Sequence, residues 1–252
     1  MSDDDTIRGL GGTVFGGDGS AVVRFLDSRG IPDESLQLAG DGLLGALDQE
    51  VAGAPELARK LIGLLSERDW FGDDILADQL NALLGTEPTS MLAKEALSLR
   101  PLPVDLEELS GILEGDPVFG AGRIDLETGE VWPQAAVDYA RETGAELTEE
   151  DEDYDEDVED KWLWVHCPGG SRDAYRDMKI FTGGVEDKNL SHHLWEALGG
   201  RGAFRRFKDV LADEPDMLDE WYTFSAERQR ARARFWLADA GYRVTLKPRQ
   251  KP

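Results

Sequence analysis

The stretch from residue 199 to residue 241 reads GGRGAFRRFKDVLADEPDMLDEWYTFSAERQRARARFWLADAG, and it has the densest aromatic and basic content of the chain. Its apolar residues recur at three- and four-residue spacing with basic residues between them, which is typical of an amphipathic helix with a basic edge: Phe204, Phe207, Val210 and Leu211. Pro215 ends this helix, and the pattern predicts a second one from about Met217 to Ala240, with Gly241 as its cap. These signals indicate a fold more than a function.

Length and charge limit the classes of protein that remain. The chain has 252 residues, 40% of them hydrophobic, and a formal net charge of -25. The length predicts one large domain or two small ones. The charge argues against bare nucleic acid and anionic membranes as partners of the whole chain, although the C-terminal third, residues 161–252, is basic.

The compartment follows from cysteine usage and from the N-terminus. Cys167 is the single cysteine and cannot form an internal disulfide, and the first residues, MSDDD, are acidic where a secretory signal is basic and then apolar. The longest apolar runs have five residues, far below the ~20 that span a bilayer. We therefore expect a soluble cytoplasmic protein that does not enter a membrane.

The N-terminal part is predicted to contain two units. Residues 1–19 are acidic and glycine-rich and are expected to form a flexible arm, because Val14 stands where a dinucleotide-binding loop needs its third glycine. Residues 20–100 show a series of short helical patterns, which predict a helical bundle or stack. None of these positions carries recognisable chemistry.

A second domain is predicted over residues 101–252. Asp105 and Glu108 have the spacing of a capping box, residues 123–132 alternate around Gly129 as a β-hairpin does, and residues 162–166 form a further strand. The predicted fold class is thus α+β and mostly helical: an N-terminal helical part, then a small α+β domain that ends in amphipathic helices.

The acidic segment 146–160, ELTEEDEDYDEDVED, is predicted to be a solvated loop. Asp151, Asp153 and Asp155 have the first spacings of a calcium-binding EF-hand, but Glu156 replaces its glycine and Trp162 its final glutamate. A partner-facing tail, a nucleic-acid mimic, or a loop that folds back onto the basic C-terminal helices remain open alternatives.

Catalytic and metal-binding residues give only weak signals. His166 and Cys167 point to opposite faces of a continuous strand, and His192–His193 would need nearly every other histidine and cysteine to complete a zinc site. No cofactor, no metal and no catalytic set is therefore assigned. The least implausible ligands for a metal-dependent hydrolase are the carboxylates near the hairpin, Asp125, Glu127 and Glu130.

The basic residues of the C-terminal helices have two interpretations. At 100° per residue, Arg228 and Arg232 share one helix edge, and Arg230 and Arg234 share the neighbouring edge. They either pair with acidic neighbours (Asp219, Glu220, Glu227, Asp239 or the acidic segment) or join an anion-binding face, whose candidate members are Arg201, Arg205, Arg206, Lys208, Arg228 and Arg232. Trp221 and Tyr222 are candidates for stacking against a base.

Five segments together resemble one bacterial family: residues 106–113, 124–131, 171–178, 200–211 and 220–224. The family is known only as uncharacterised protein family (UPF) 0158, and the resemblance covers about residues 101–242. It is most specific in RGAFRRFKD and in the WY-x-F segment, and the acidic insertion before Trp162 departs from the family pattern. The resemblance implies an α+β architecture and no mechanism.

Three functions follow from these observations. The first is a cytoplasmic binding or adaptor protein without a catalytic site, which engages a protein partner through its helical N-terminal part and acidic segment. The alternatives are a nucleic-acid-linked protein, which binds RNA or DNA through its basic helices or mimics DNA through its acidic segment, and a metal-dependent hydrolase. The sequence does not specify an oligomeric state.

Overall fold

The structure is a computed structural model that describes residues 3–86, 95–115, 121–143, 161–166 and 171–247. The acidic segment 146–160 and Cys167 lie outside the described residues. The fold is α+β and mostly helical, as the sequence predicts. None of the described helices combines the length and the apolar character needed to cross a membrane.

Five helices and a short 3-10 turn, Asp33–Ser35, form the N-terminal part. The helices are α1 Asp3–Phe15, α2 Gly19–Arg29, α3 Leu36–Asp48, α4 Ala54–Arg68 and α5 Asp73–Leu83. Leucines from all five pack into one core, including Leu10, Leu26, Leu43, Leu61 and Leu76. Helix α3 lies at the centre of this group because it contacts α1, α2, α4 and α5.

The prediction of a flexible arm over residues 1–19 is wrong. Residues 3–15 form α1, with Leu10 fully buried and Val14 packed against the same core. Glycine lowers helix propensity, but burial of a helix face against α2 and α3 overrides it. The arm is therefore part of the N-terminal core.

The middle of the chain builds two small sheets. Strand β1 (Arg100–Leu102) pairs in parallel with β5 (Tyr242–Val244), with Arg100 opposite Tyr242. Strands β2 (Ala121–Asp125) and β3 (Val131–Pro133) form the predicted hairpin, and β4 (Trp162–His166) pairs antiparallel with the other side of β2. Helix α6, Leu106–Leu113, begins after Asp105, whose side chain caps it by accepting a hydrogen bond from the N–H of Glu107 (2.8 Å).

Helix α7, Gln134–Thr143, packs on β2 and β3, and four more helices complete the chain: α8 Ser171–Gly184, α9 Lys188–Leu198, α10 Ala203–Leu211 and α11 Pro215–Asp239. The first half of α11 packs with α8, α9 and α10 around Phe181, Phe207 and Trp221. Its second half contacts α3, α5, α6 and β5. The division into domains 20–100 and 101–252 stays a prediction, and both α11 and β5 contact the N-terminal part as well as the C-terminal part.

Candidate functional site

The four alternating arginines of α11 occupy two edges of the helix, as the 100° spacing predicts. Each edge faces one buried aspartate on another helix. Asp41 on α3 takes Arg230 on one carboxylate oxygen (2.7 Å) and Arg234 on the other. Asp177 on α8 likewise takes Arg228 on one oxygen and Arg232 on the other, the latter at 2.8 Å. The two aspartates thus hold α11 between α3 and α8. We call these six residues the clamp: Asp41, Asp177, Arg228, Arg230, Arg232 and Arg234.

The edge that faces α3 is surrounded by further polar contacts. Arg234 is 1% exposed, and its Nε donates to the side-chain oxygen of Gln37 (2.8 Å). Glu227, two turns earlier, accepts hydrogen bonds from the backbone N–H of Gln37 (2.7 Å) and from Arg68 (3.0 Å). Arg68 in turn pairs with Asp73 (2.6 Å), so this side of α11 holds three arginines and three carboxylates. The charges balance, which is what allows them to be buried.

The edge that faces α8 is balanced in the same way. Arg232 pairs with Glu114 at the end of α6 as well as with Asp177. Arg228 lies beside the rings of Trp70 and Phe224, at 5.9 and 5.6 Å from their centroids. Neither arginine pairs with the neighbouring acidic residues that the sequence suggested, Asp219, Glu220, Glu227 or Asp239. Their partners come from other helices.

Burial and ion pairing shift the pKa values of three residues on or beside α11. Burial opposes the charge of Arg230, but Asp41 outweighs it and raises the pKa of Arg230 above its ordinary value. Burial raises the pKa of Glu227, and the charge of Arg68 and the N–H groups of Gln37 and Leu38 offset only part of that shift. Glu114 is partly buried, and this burial raises its pKa as well.

The structure divides the predicted anion-binding residues into three groups. Arg228 and Arg232 lie inside the clamp and share no exposed face with α10. Arg206 donates to the backbone carbonyls of Ala197 (3.0 Å) and Arg201 (2.6 Å) and so closes the end of α9. Arg201, Arg205 and Lys208 are exposed, and Arg205 has Asp209 beside it at 3.8 Å. Arg206 is exposed as well, but its guanidinium group donates to the carbonyls of Ala197 and Arg201, so Arg201, Arg205 and Lys208 are the exposed members that do not bind the end of α9.

The two candidate stacking residues have different environments. Trp221 is buried, with its ring 4.9 Å from that of Phe207 and 5.3 Å from that of Phe181. Tyr222, the next residue of α11, is exposed. Trp221 therefore packs in the core around Phe181 and Phe207, and Tyr222 alone of the pair can reach a ligand from solvent.

Of the carboxylates proposed for a metal-dependent hydrolase, Asp125 supports the turn of the hairpin. Asp125 is buried, and one of its oxygens accepts hydrogen bonds from the N–H groups of Glu127 and Thr128, both at 2.8 Å. In the part of the chain that the structure describes, no group of three or more His, Cys, Asp or Glu residues is arranged to hold a metal ion. His192 is exposed and lies 3.5 Å from Glu196 on the same helix.

A cavity of about 360 Å3 lies where α1, α3, α6, α11 and β5 meet, and we call it the junction pocket. Its walls are mostly apolar. Helix α1 contributes residues at helical spacing, and so does α11; the lining includes Ile7, Gly11, Val14, Phe15, Leu38, Asp41, Val104, Leu106, Glu107, Thr223, Ala226, Glu227, Arg230, Val244 and Leu246. Further polar and charged residues complete it: Arg8, Ser35, Asp105, Thr245 and Lys247. The charged residues Asp41 and Arg230 are members of the clamp, so the pocket and the clamp share a wall.

The rim of the junction pocket carries an exposed aromatic side chain. Phe15, the last residue of α1, is 71% exposed although it lines the pocket. Ala226 on α11 is also exposed at the pocket. Sequence reasoning missed this site because it took residues 1–19 as an arm. The signal was the spacing of Ile7, Leu10 and Val14, which marks one face of a helix.

Fold and sites together define a mostly helical α+β protein built around one long arginine-rich helix. The profile of a family described as uncharacterised protein family UPF0158 matches residues 170–249, which include α8 to β5. A UPF0158 protein from Pseudomonas aeruginosa is 29% identical over 141 residues, or 56% of this chain and 85% of that protein. Over these residues the chain is similar to the uncharacterised protein family UPF0158. No solved structure matches it.

Proposed function

We propose that this protein is a cytoplasmic, non-catalytic binding protein whose junction pocket receives an apolar side chain of a protein partner. The observation that carries the proposal is the pocket itself, a mostly apolar cavity of about 360 Å3 that opens beside an exposed phenylalanine. Cavities of roughly 300 to 1,000 Å3 are the size range in which proteins hold ligands. Aromatic residues beside such a pocket are typical of protein interfaces.

Two charged residues of the pocket, Arg230 and Glu227, are engaged in structural contacts, which supports binding rather than catalysis at this wall. Arg230 is held by Asp41 and lies 3.6 Å from Glu107, and Glu227 accepts from two backbone N–H groups and from Arg68. These groups are engaged in holding α11 in place, and a general base or nucleophile must be within reach of a substrate. The apolar wall is then the surface on which a ligand gains free energy.

A protein partner suits this pocket better than a free small molecule because of what surrounds it. Phe15 adds apolar surface outside the cavity, and a partner that inserts one side chain can cover Phe15 with its neighbouring residues. A central anchor in a pocket with surrounding contacts that exclude water is the usual arrangement of interface hot spots.

The proposal can be tested by selecting peptides from a random displayed library on the full-length chain and then measuring their affinities for matched variants. Ala226→Trp fills the mouth of the pocket from an exposed position, and Phe15→Ala removes the rim contact. We expect about a tenfold or greater loss of affinity for Ala226→Trp and a loss of about 1–2 kcal/mol for Phe15→Ala.

Trp195→Ala is the matched control, because Trp195 is an exposed aromatic residue on α9 that does not line the pocket. It should leave the affinities unchanged, and all three variants should keep the circular dichroism and the melting temperature of the parent chain. Selected peptides that bind Ala226→Trp as tightly as the parent would show that the pocket is not their binding site.

A further inference from the structure

A second, smaller pocket of about 120 Å3 lies between α5, residues 95–99 and the C-terminal end of α11. Two helices face it with the i, i+3, i+4 spacing of a single helix face: Ile75, Asp78 and Gln79 on α5, and Phe235, Ala238 and Asp239 on α11. Glu95 completes the acidic part of the lining. The pocket is distinct from the junction pocket and shares no lining residue with it.

The carboxylates of this pocket differ from those of the clamp. Asp41 and Asp177 each take two arginines, whereas Asp78, Glu95 and Asp239 have no ion-pair partner within the described ranges. Burial raises the pKa of Asp78, and the nearby charge of Asp74 raises it further. The pocket therefore presents uncompensated negative charge, which a cation would stabilise.

A buried donor in the same pocket points to a ligand independently of the charge. Gln79 is fully buried, and its side-chain Nε2 has no hydrogen-bond acceptor among the residues that the structure describes. An unsatisfied buried donor costs about 1–3 kcal/mol, so an occupant that brings a carbonyl oxygen is favoured. Its other side-chain atom, Oε1, already accepts from Arg234 of the clamp.

An aromatic surface borders the pocket. Phe235 is 48% exposed and its ring lies 5.5 Å from that of Phe71, which is also exposed. Aromatic faces attract cations, most strongly the guanidinium group of arginine. Carboxylates and an aromatic face thus lie at the opening, and the unpaired amide N–H of Gln79 belongs to the buried wall of the same pocket.

We propose that this pocket binds a basic segment of a partner protein, with an arginine side chain held by Asp78, Glu95, Asp239 and Phe235 and a backbone carbonyl held by the Nε2 of Gln79. A metal ion is a poorer occupant, because these carboxylates do not form a group that could hold one. The net charge of -25 favours the approach of a basic partner. This proposal holds whether or not the junction pocket is occupied.

The probe is N-acetyl-arginine amide, which carries both the guanidinium group and the carbonyl oxygens, titrated into the full-length chain and followed by the NMR amide shifts of residues 75–79 and 235–239. N-acetyl-citrulline amide is the neutral counterpart of the same shape. We expect the citrulline compound to bind about tenfold more weakly, and Asp239→Asn to weaken the arginine compound about threefold or more.

Asp219→Asn is the matched control, since Asp219 is an exposed carboxylate on the same helix that does not line the pocket. It should leave the affinity for the arginine compound unchanged, and so should Ala226→Trp, which tests the junction pocket. Equal affinity for the two compounds, equal effects of Asp239→Asn and Asp219→Asn, or the absence of saturable shifts at these residues would each overturn the proposal.

Discussion

Helices α10 and α11 are both rich in arginine, yet they place these residues in opposite environments. The side chain of Arg205 on α10 is 89% exposed and has one carboxylate nearby, Asp209, at 3.8 Å. The side chain of Arg234 on α11 is 1% exposed and contacts Asp41 and Gln37. The two helices follow one another in the chain, so composition alone does not explain the difference.

The difference in burial comes from the carboxylates on the helices that pack against α11. Helix α11 passes between Asp41 on α3 and Asp177 on α8, and both carboxylates are almost fully buried. A buried arginine is tolerated only where such a partner compensates the loss of hydration. A row of arginines in a sequence therefore indicates an anion-binding surface only when no carboxylate of the fold reaches it.

The largest expected effect separates the two helices directly. Arg234→Met should lower the free energy of unfolding by about 3–5 kcal/mol, because it removes a buried ion pair with Asp41 and a buried hydrogen bond to Gln37. Arg205→Met on α10 should change it by no more than about 0.5 kcal/mol, because an exposed ion pair contributes little. Urea unfolding followed by circular dichroism measures both. Similar values for the two variants would remove the distinction between a buried clamp and an exposed helix.

The second prediction compares the aspartates that the two helices use. Asp177→Asn should cost about 3 kcal/mol, because it removes the charge that holds Arg228 and Arg232 together between α8 and α11. Asp209→Asn, which removes the exposed partner of Arg205, should cost at most about 0.5 kcal/mol. The same unfolding experiment at low and high salt adds a check: the Asp177→Asn penalty should persist in salt, since buried pairs are screened little. If the loss of stability caused by Asp177→Asn disappears at high salt, the ion pairs of Asp177 with Arg228 and Arg232 are exposed to solvent.

The smallest expected effect is the pH dependence that comes from Glu227. Because the folded-state pKa of Glu227 is raised, the folded protein binds its proton more tightly than the unfolded chain does. The contribution of Glu227 to stability is therefore full below the ordinary carboxylate pKa and is lost as the pH rises through the raised value. The unfolding free energy of the parent relative to Glu227→Gln should fall across that window.

An exposed carboxylate provides the control for the pH experiment. The variant Glu220→Gln, which removes an exposed carboxylate of α11, is measured in the same way as the control. A parent whose advantage over Glu227→Gln grows as the pH rises would mean that the pKa of Glu227 is lowered in the folded state.

Local patterns predicted the elements that are set by nearby residues. The Asp105 cap, the hairpin around Gly129 and the two helices on either side of Pro215 all follow from spacings of a few residues, and all are confirmed. The two edges of the arginine row also follow from helical geometry. The mostly helical α+β class is the sum of such local signals.

What the sequence did not reveal depends on contacts between distant residues. Asp41 and Arg230 are 189 positions apart, and no periodicity links them. The parallel pairing of β1 with β5 joins residues 100 and 242 in the same way. Residues 3–15 show the same dependence on distant contacts. Their glycines suggest a flexible arm, but the burial of Leu10 in the N-terminal core stabilises them as a helix. Both pockets form at such contacts and so escaped the sequence.

The distance along the chain between Asp41 and its arginines has a consequence for synthesis. When α3 leaves the ribosome, the residues that neutralise Asp41 have not been translated, and about 190 more must follow before they appear. At roughly 5–20 residues per second this interval lasts about ten seconds or longer. The N-terminal helices are thus synthesised before the arginines that pair with Asp41, and their polar contacts are complete only after α11 has been made.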